Sequence, residues 1–150
     1  MNVIVVGSNG WVERFEALEP RLRANAYGFF RAWWKGVTYF HRDGYRYTVA
    51  AVRPRRQLGM IDRVLASTIY NPVLDFDVDY AREGIYSAAQ LREAVGMALE
   101  RDDDVLTQFH ERDELLARLG RAMSFDEVLA VLAFAEAPDE LGGQDSSPDA

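Results

Sequence analysis

The sequence predicts an α+β fold in which a small, mainly antiparallel sheet packs with helices. The first observation is a central β-hairpin over residues 37–53, where two β-rich runs flank an Asp-Gly dipeptide suited to a tight type I′ turn. The second is a strand of strict apolar–polar alternation over residues 73–80. The third is a pair of capping boxes, at Ser87 and Ser124, that open helices in the last part of the chain.

Length and composition indicate one globular domain. The chain has 150 residues, of which 49% are hydrophobic, and this is enough to bury a self-sufficient core. We expect the domain to span residues 1–136. Residues 137–150 are rich in acidic residues, glycine, serine and proline, so they are predicted to form a disordered acidic tail.

The absence of cysteine, of a signal-peptide pattern and of a long apolar run limits the possible chemistry and cellular location of the protein. The chain has no cysteine, which excludes disulfides, thiolate metal sites and a cysteine nucleophile. The first residues lack the pattern of a signal peptide, and no run approaches the ~18 apolar residues that cross a bilayer. We therefore expect a cytoplasmic protein without membrane contact. Lys35 is the one lysine among 17 basic residues, which suggests a bacterial origin.

The first part of the chain is predicted to hold one strand and two helical stretches. Residues 2–6 form an apolar run, predicted as a strand that joins the sheet. Apolar residues at helical spacing follow the turn at residues 7–10, and Pro20 would open a second helical stretch toward Tyr27. A dense aromatic segment comes next and is most typical of core packing under the sheet. Its members are Tyr27, Phe29, Phe30, Trp33 and Trp34.

The hairpin is followed by a helix, the alternating strand and three further helices. Apolar residues at helical spacing predict the first of these helices over residues 58–69. In the strand at 73–80, one face is apolar and the other carries three aspartates. Because aspartate is a poor strand former and like charges repel one another, we expect a structural or functional role for this row. The closing helices are predicted to begin at Ser87, at the aspartates of residues 102–104 and at Ser124, and to form a C-terminal helical segment.

Charge is distributed unevenly along the chain. The net charge is −7, but residues 1–72 carry eleven basic and five acidic side chains, and residues 73–136 carry six basic and fifteen acidic ones. The first half is therefore cationic and the second strongly anionic. We expect no nucleic-acid partner, because the acidic half would repel a polyanion. The one basic cluster comprises Arg53, Arg55 and Arg56, and we expect it to pair with the acidic half within the fold.

No catalytic, cofactor-binding or metal-binding motif stands out. The glycine loop at residues 7–10 lacks the third glycine of a dinucleotide fingerprint and the lysine of a P-loop. Counted from Asp75, the calcium-loop positions that require glycine and glutamate hold Tyr80 and Tyr86, which excludes an EF-hand. His41 and His110 do not form an H-E-x-x-H motif, and no G-x-S-x-G is present. We therefore predict no cofactor and no metal, and favour a non-enzymatic protein.

These observations favour a protein-binding or inhibitory function. An acidic surface can dock onto a basic protein partner, such as a toxin or nuclease domain, with electrostatically steered association. A bacterial immunity protein that neutralises a cognate toxin is a concrete instance. Reversal of Asp77 and Asp79 to lysine should then abolish binding and leave the fold intact. The predicted partner-binding residues combine charged contacts with two aromatic anchors: Asp75, Asp77, Asp79, Tyr80, Glu83 and Tyr86.

An alternative hypothesis is a small-molecule enzyme or ligand-binding domain. Its pocket would lie between the aromatic segment 27–34 and the sheet. The polar groups of that pocket would come from the hairpin, and the candidates are Tyr39, His41, Tyr45 and Arg46.

Overall fold

The computed structural model describes residues 1–68, 71–102 and 105–138. Within them the chain has the predicted α+β fold, with one curled antiparallel sheet of six strands and five helices. The strands are β1 (Val3–Val6), β2 (Val12–Phe15), β3 (Arg21–Asn25), β4 (Thr38–His41), β5 (Tyr45–Pro54) and β6 (Val73–Ile85). The helices are α1 (Ala26–Phe30), α2 (Met60–Thr68), α3 (Ala88–Glu100), α4 (Arg112–Arg121) and α5 (Phe125–Glu136).

The strand order is β2-β1-β4-β5-β6-β3, and every neighbouring pair is antiparallel. The predicted hairpin is present as β4 and β5, the alternating strand as β6, and the N-terminal strand as β1. Strand β6 extends beyond the predicted residues to Ile85 and pairs with both β5 and β3. The two strands that follow one another after β1 in the sequence, β2 and β3, therefore lie at opposite edges of the sheet.

The hairpin turn differs from the predicted type I′ turn. Only Gly44 has a positive φ, of 88°, whereas a type I′ turn also requires a positive φ at the preceding residue. The amide of Gly44 donates to the carbonyl oxygen of His41 (3.0 Å), and the Asp43 carboxylate accepts from the amide of Tyr45 (2.9 Å). The connection is therefore a three-residue loop in which glycine takes the left-handed position.

The prediction of helices between the first strand and Tyr27 was wrong. Residues 12–15 instead form β2, which pairs with β1 from Val3↔Phe15 to Val6↔Val12. A spacing of four residues, as between Trp11 and Phe15, fits one face of a strand as well as one face of a helix. Backbone pairing of β2 with β1, and of β3 with β6, favours the strand conformation over the helical one in this stretch.

The start of α4 also differs from the prediction. The helix begins at Arg112 and not at the aspartates of residues 102–104. The Asp102 carboxylate instead accepts hydrogen bonds from the amides of Leu106 (2.9 Å) and Thr107 (3.0 Å), so it stabilises the loop before the helix. Asp103 and Asp104 lie outside the described residues, as do residues 139–150 of the predicted acidic tail.

Each face of the sheet packs against a different part of the chain. On the helix-covered face, Ile4 and Val6 of β1 pack against α3, α4 and α5. On the opposite face, which we call the aromatic face, Val3 and Val5 of β1 pack with aromatic side chains from five segments. All four residues of β1 are therefore buried. The aromatic members of this second cluster are Trp11, Phe15, Trp33, Tyr39, Tyr47 and Tyr80.

Candidate functional site: an aromatic cavity

A cavity of about 530 Å³ lies on the aromatic face. Its lining comes from β2 and β3, from α1 and the turn after it, and from β4 and β6. Because β2 and β3 are the two edges of the sheet, its curl brings both edges to one cavity. Among the described residues, five aromatic side chains line it: Trp11, Phe15, Trp33, Tyr39 and Tyr80.

Two tyrosines of the lining, on β4 and β6, contact each other. The rings of Tyr39 and Tyr80 meet edge to face, with centroids 5.1 Å apart, and the Tyr80 hydroxyl donates to the carbonyl oxygen of Glu19 (2.8 Å). Burial raises the pKa of both phenols, and the negative charge of Glu13 adds to the rise at Tyr39. Both hydroxyls are therefore neutral at physiological pH and can donate or accept hydrogen bonds.

Trp33, whose side chain lines the cavity, also has a buried donor without an acceptor. Its Nε1 atom is buried and has no hydrogen-bond partner among the described residues. The turn that carries it has Ala32 at a φ of 52°, a left-handed conformation that is uncommon for a residue other than glycine. The Trp33 amide donates to the carbonyl oxygen of Gly28 (3.1 Å), which anchors the turn to α1.

Two glycines allow the indole rings to reach the cavity. A Cβ atom at Gly7 would lie 2.0 Å from Nε1 of Trp11, and one at Gly28 would lie 3.1 Å from Cδ1 of Trp33. No real Cβ contact is as short as the first, so the Trp11 ring rests directly on the backbone of the turn after β1. Both positions therefore require glycine because a larger residue would collide with an indole ring.

The lining of the cavity also includes charged residues. Glu13 and Glu19 line it and make no ion pair with a described residue, whereas Arg21 and Arg23 are directed to acidic side chains of β6. Nε of Arg21 lies 3.9 Å from Asp77, and Nε of Arg23 lies 3.4 Å from Asp75. The glutamates are therefore the uncompensated charges of the lining.

The same ion pairs explain the three aspartates of β6. Arg53 of β5 donates a hydrogen bond to Asp79 and so lowers the pKa of that carboxyl group, and Arg55 lies 3.9 Å from Asp77. With Arg21 and Arg23 on β3, arginines from the first half of the chain flank the aspartate row on both sides. Pairing with the acidic half is confirmed for Arg53 and Arg55. Arg56 instead pairs with Asp62 of the cationic half, 3.0 Å away.

The six predicted partner-binding residues do not form one surface. Asp75, Asp77 and Asp79 share the exposed face of β6, while Tyr80 faces the cavity on the other side of the strand. Glu83 accepts a hydrogen bond from the Thr48 hydroxyl (2.8 Å). Binding of a basic partner stays a prediction, but arginines offset the charge on which it was based.

Tyr86 lies apart from the other five. Its ring packs edge to face on Phe40, with centroids 5.1 Å apart, and its hydroxyl donates to the carbonyl oxygen of His41 (2.8 Å). Burial raises the pKa of Tyr86 to about 12. These contacts indicate that Tyr86 packs the hairpin against the helices.

The alternative hypothesis placed a pocket between the aromatic segment and the sheet, where the cavity lies. Of the polar groups suggested for it, Tyr39 lines the cavity and His41, Tyr45 and Arg46 do not. The residues missed by sequence reasoning are those of β2 and β3, because this stretch had been assigned to helices. Trp11 and Phe15, four residues apart, fit one face of a strand as well as one face of a helix, so this stretch offered no local signal that separates the two.

No family model, curated protein or solved structure matches this chain. Among the described residues, no group of three or more histidine, aspartate or glutamate side chains is placed to hold a metal ion. Within the same ranges, no helix has both the length and the apolar character needed to span a membrane. The functional argument therefore depends on the cavity itself.

Proposed function

We propose that this protein binds a small organic molecule in the aromatic cavity. The observation that carries the proposal is a cavity lined, among the described residues, by five aromatic rings, with the buried, unpartnered indole N–H of Trp33 beside it. A volume of about 530 Å³ lies within the range of small-molecule sites, roughly 300–1,000 Å³. Such sites combine apolar walls with a few polar groups that orient the ligand, as this one does.

The unpartnered donor points to a ligand with a hydrogen-bond acceptor. A buried donor that lacks a partner destabilises a fold by about 1–3 kcal/mol, and most buried donors are paired for that reason. An acceptor on a ligand would remove this penalty. The neutral hydroxyls of Tyr39 and Tyr80 provide further hydrogen-bonding groups, and the aromatic walls favour a ligand with a flat or bulky apolar body.

The lining favours binding over catalysis. Within the part of the chain that the structure describes, the cavity includes no histidine, serine, threonine or lysine side chain. Its ionisable groups are two glutamates, two arginines and two phenols of raised pKa. This set lacks the serine, threonine and lysine nucleophiles and the histidine base that many covalent mechanisms use, which leaves the two glutamates as its main candidates for acid–base chemistry.

Replacement of Trp33 with phenylalanine tests the role of the indole N–H. The wild-type protein is screened by thermal unfolding against aromatic compounds that carry an acceptor, and a ligand at 100 times its Kd should add roughly 2.7 kcal/mol of stability. Because the variant keeps an aromatic ring and loses the donor, affinity for the ligand found should fall about tenfold.

The matched control is Trp34→Phe, which makes the same change at the neighbouring tryptophan outside the cavity lining. Its affinity should stay within about twofold of wild type. A broad screen in which no compound raises the stability of the wild-type protein would count against the proposed function. Equal loss of affinity in both variants would count against the role of the Trp33 donor.

A further inference from the structure

We infer that the aromatic cavity selects organic cations, of which alkylated ammonium groups attached to an apolar body are the best fit. This inference rests on the proposed function, since it names the class of ligand for the same cavity. Three features carry it: the uncompensated carboxylates of the lining, the ring faces of the walls, and the absence of an unpaired cation in the lining among the described residues.

The charge of the lining is negative once its ion pairs are taken into account. Arg21 and Arg23 lie against Asp77 and Asp75, which are on the solvent-exposed side of β6. Glu13 and Glu19 have no such partner in the described ranges, and the Glu13 carboxylate is close enough to Tyr39 to raise the pKa of its phenol. An anionic ligand would meet two carboxylates, whereas a cationic one would neutralise them.

The walls supply the second half of a cation site. A cation over the face of a tryptophan or tyrosine ring is attracted by its quadrupole, most strongly where water is partly excluded. The protein's own cation–π contacts, in the part of the chain that the structure describes, use Tyr27, Tyr45, Phe125 and Phe134. Among the described residues, therefore, no arginine makes a cation–π contact with a ring of the cavity.

Alkylation of the ammonium group matters because, apart from the carboxylates of Glu13 and Glu19, the accessible surface of the cavity is mainly apolar. A primary ammonium carries three N–H donors, each of which would need a partner after loss of water. A quaternary or tertiary ammonium has none or one, and its methyl groups contact ring faces directly. Because the Tyr80 hydroxyl already donates to the carbonyl oxygen of Glu19, the Tyr39 hydroxyl and the Trp33 donor remain for an acceptor elsewhere on the ligand.

The test uses two probes that differ by one atom, phenyltrimethylammonium and its neutral analogue tert-butylbenzene. Isothermal titration calorimetry of the full chain should give a Kd for the cation at least about tenfold lower than for the neutral probe. In Glu13→Gln the cation should bind about three- to tenfold more weakly, while affinity for the neutral probe stays unchanged.

Glu93→Gln is the matched control, since Glu93 is exposed on α3 and lies outside the cavity lining. It should leave both affinities at the wild-type value. Equal or tighter binding of the neutral probe would overturn the inference and leave the proposed function standing. If neither probe binds and the compound screen also finds no ligand, the inference and the proposed function both fail.

Discussion

Substitution of Ala24 with tryptophan should abolish ligand binding while the protein stays folded. Ala24 lies on β3 opposite Leu74 of β6, and it lines the cavity. An indole at this position would fill much of the space that a ligand needs. We expect the affinity to fall at least about 100-fold, which corresponds to about 2.7 kcal/mol of binding free energy. Calorimetric titration with a ligand of the wild-type protein measures the loss.

The matched control for this substitution is Ala117→Trp. Ala117 is exposed on α4, so the same side chain is added where it faces solvent. Its affinity should equal that of the wild-type protein, and circular dichroism should show that both variants are folded. Wild-type affinity in a folded Ala24→Trp variant would place the ligand somewhere other than the cavity.

Substitution of Phe76 with alanine should produce the largest loss of stability. Phe76 is fully buried on β6, between Pro54 of β5 and Leu22 of β3, and its ring stacks on Phe29 of α1 with centroids 5.0 Å apart. Truncation of a buried phenylalanine costs about 3–5 kcal/mol, because the cavity left behind closes only in part. Urea unfolding should show this decrease in the free energy of unfolding.

Phe109→Ala provides the comparison, since Phe109 lies in the loop before α4 and is 40% exposed. Its removal should change stability by less than about 1 kcal/mol. Phe76→Ala should in addition weaken ligand binding, because Phe29 belongs to the helix that carries the Trp33 turn. A loss below about 1 kcal/mol in Phe76→Ala would show that the packing of α1 on the sheet is not as described.

Local signals in the sequence were sufficient for the elements that depend on neighbouring residues. The capping box at Ser87 is present in full: its hydroxyl accepts from the amide of Gln90 (3.2 Å), and the Gln90 side chain accepts from the amide of Ser87 (2.9 Å). The hairpin and the alternating strand depend in the same way on turn residues and on period. The helix, the hairpin strands and the alternating strand were therefore predicted with the correct secondary structure, although the hairpin turn is not of type I′.

Strands β2 and β3 could not be recognised from local pattern, because their formation depends on distant partners. β3 pairs with β6, where Arg21 lies opposite Asp77, and these two residues are far apart in the chain. The same register places arginines of β3 beside the aspartates of β6, so that they form ion pairs within the sheet. The sequence of residues 73–80 alone could not show these pairs. Exposed ion pairs of this kind contribute little stability, but they compensate the charge of the strand.

The cavity depends on the curl of the sheet and was therefore beyond the reach of sequence reasoning in detail. Its rings come from β2, the turn after α1, β4 and β6, which meet only when the edges of the sheet approach one another. The aromatic segment was correctly associated with the sheet through Phe29, which stacks on Phe76. That Trp33 of this segment forms part of a cavity wall could be seen only in the folded structure.

The most direct test of ligand binding in the aromatic cavity is nuclear magnetic resonance of the tryptophan side chains. The chain has three tryptophans and hence three indole N–H signals, of which those of Trp11 and Trp33 report on the cavity and that of Trp34 does not. Titration of an isotope-labelled protein with aromatic ammonium compounds should shift the Trp33 signal most, followed by Trp11, with Trp34 least affected. Saturating binding that leaves the Trp33 and Trp11 signals in place would contradict the account.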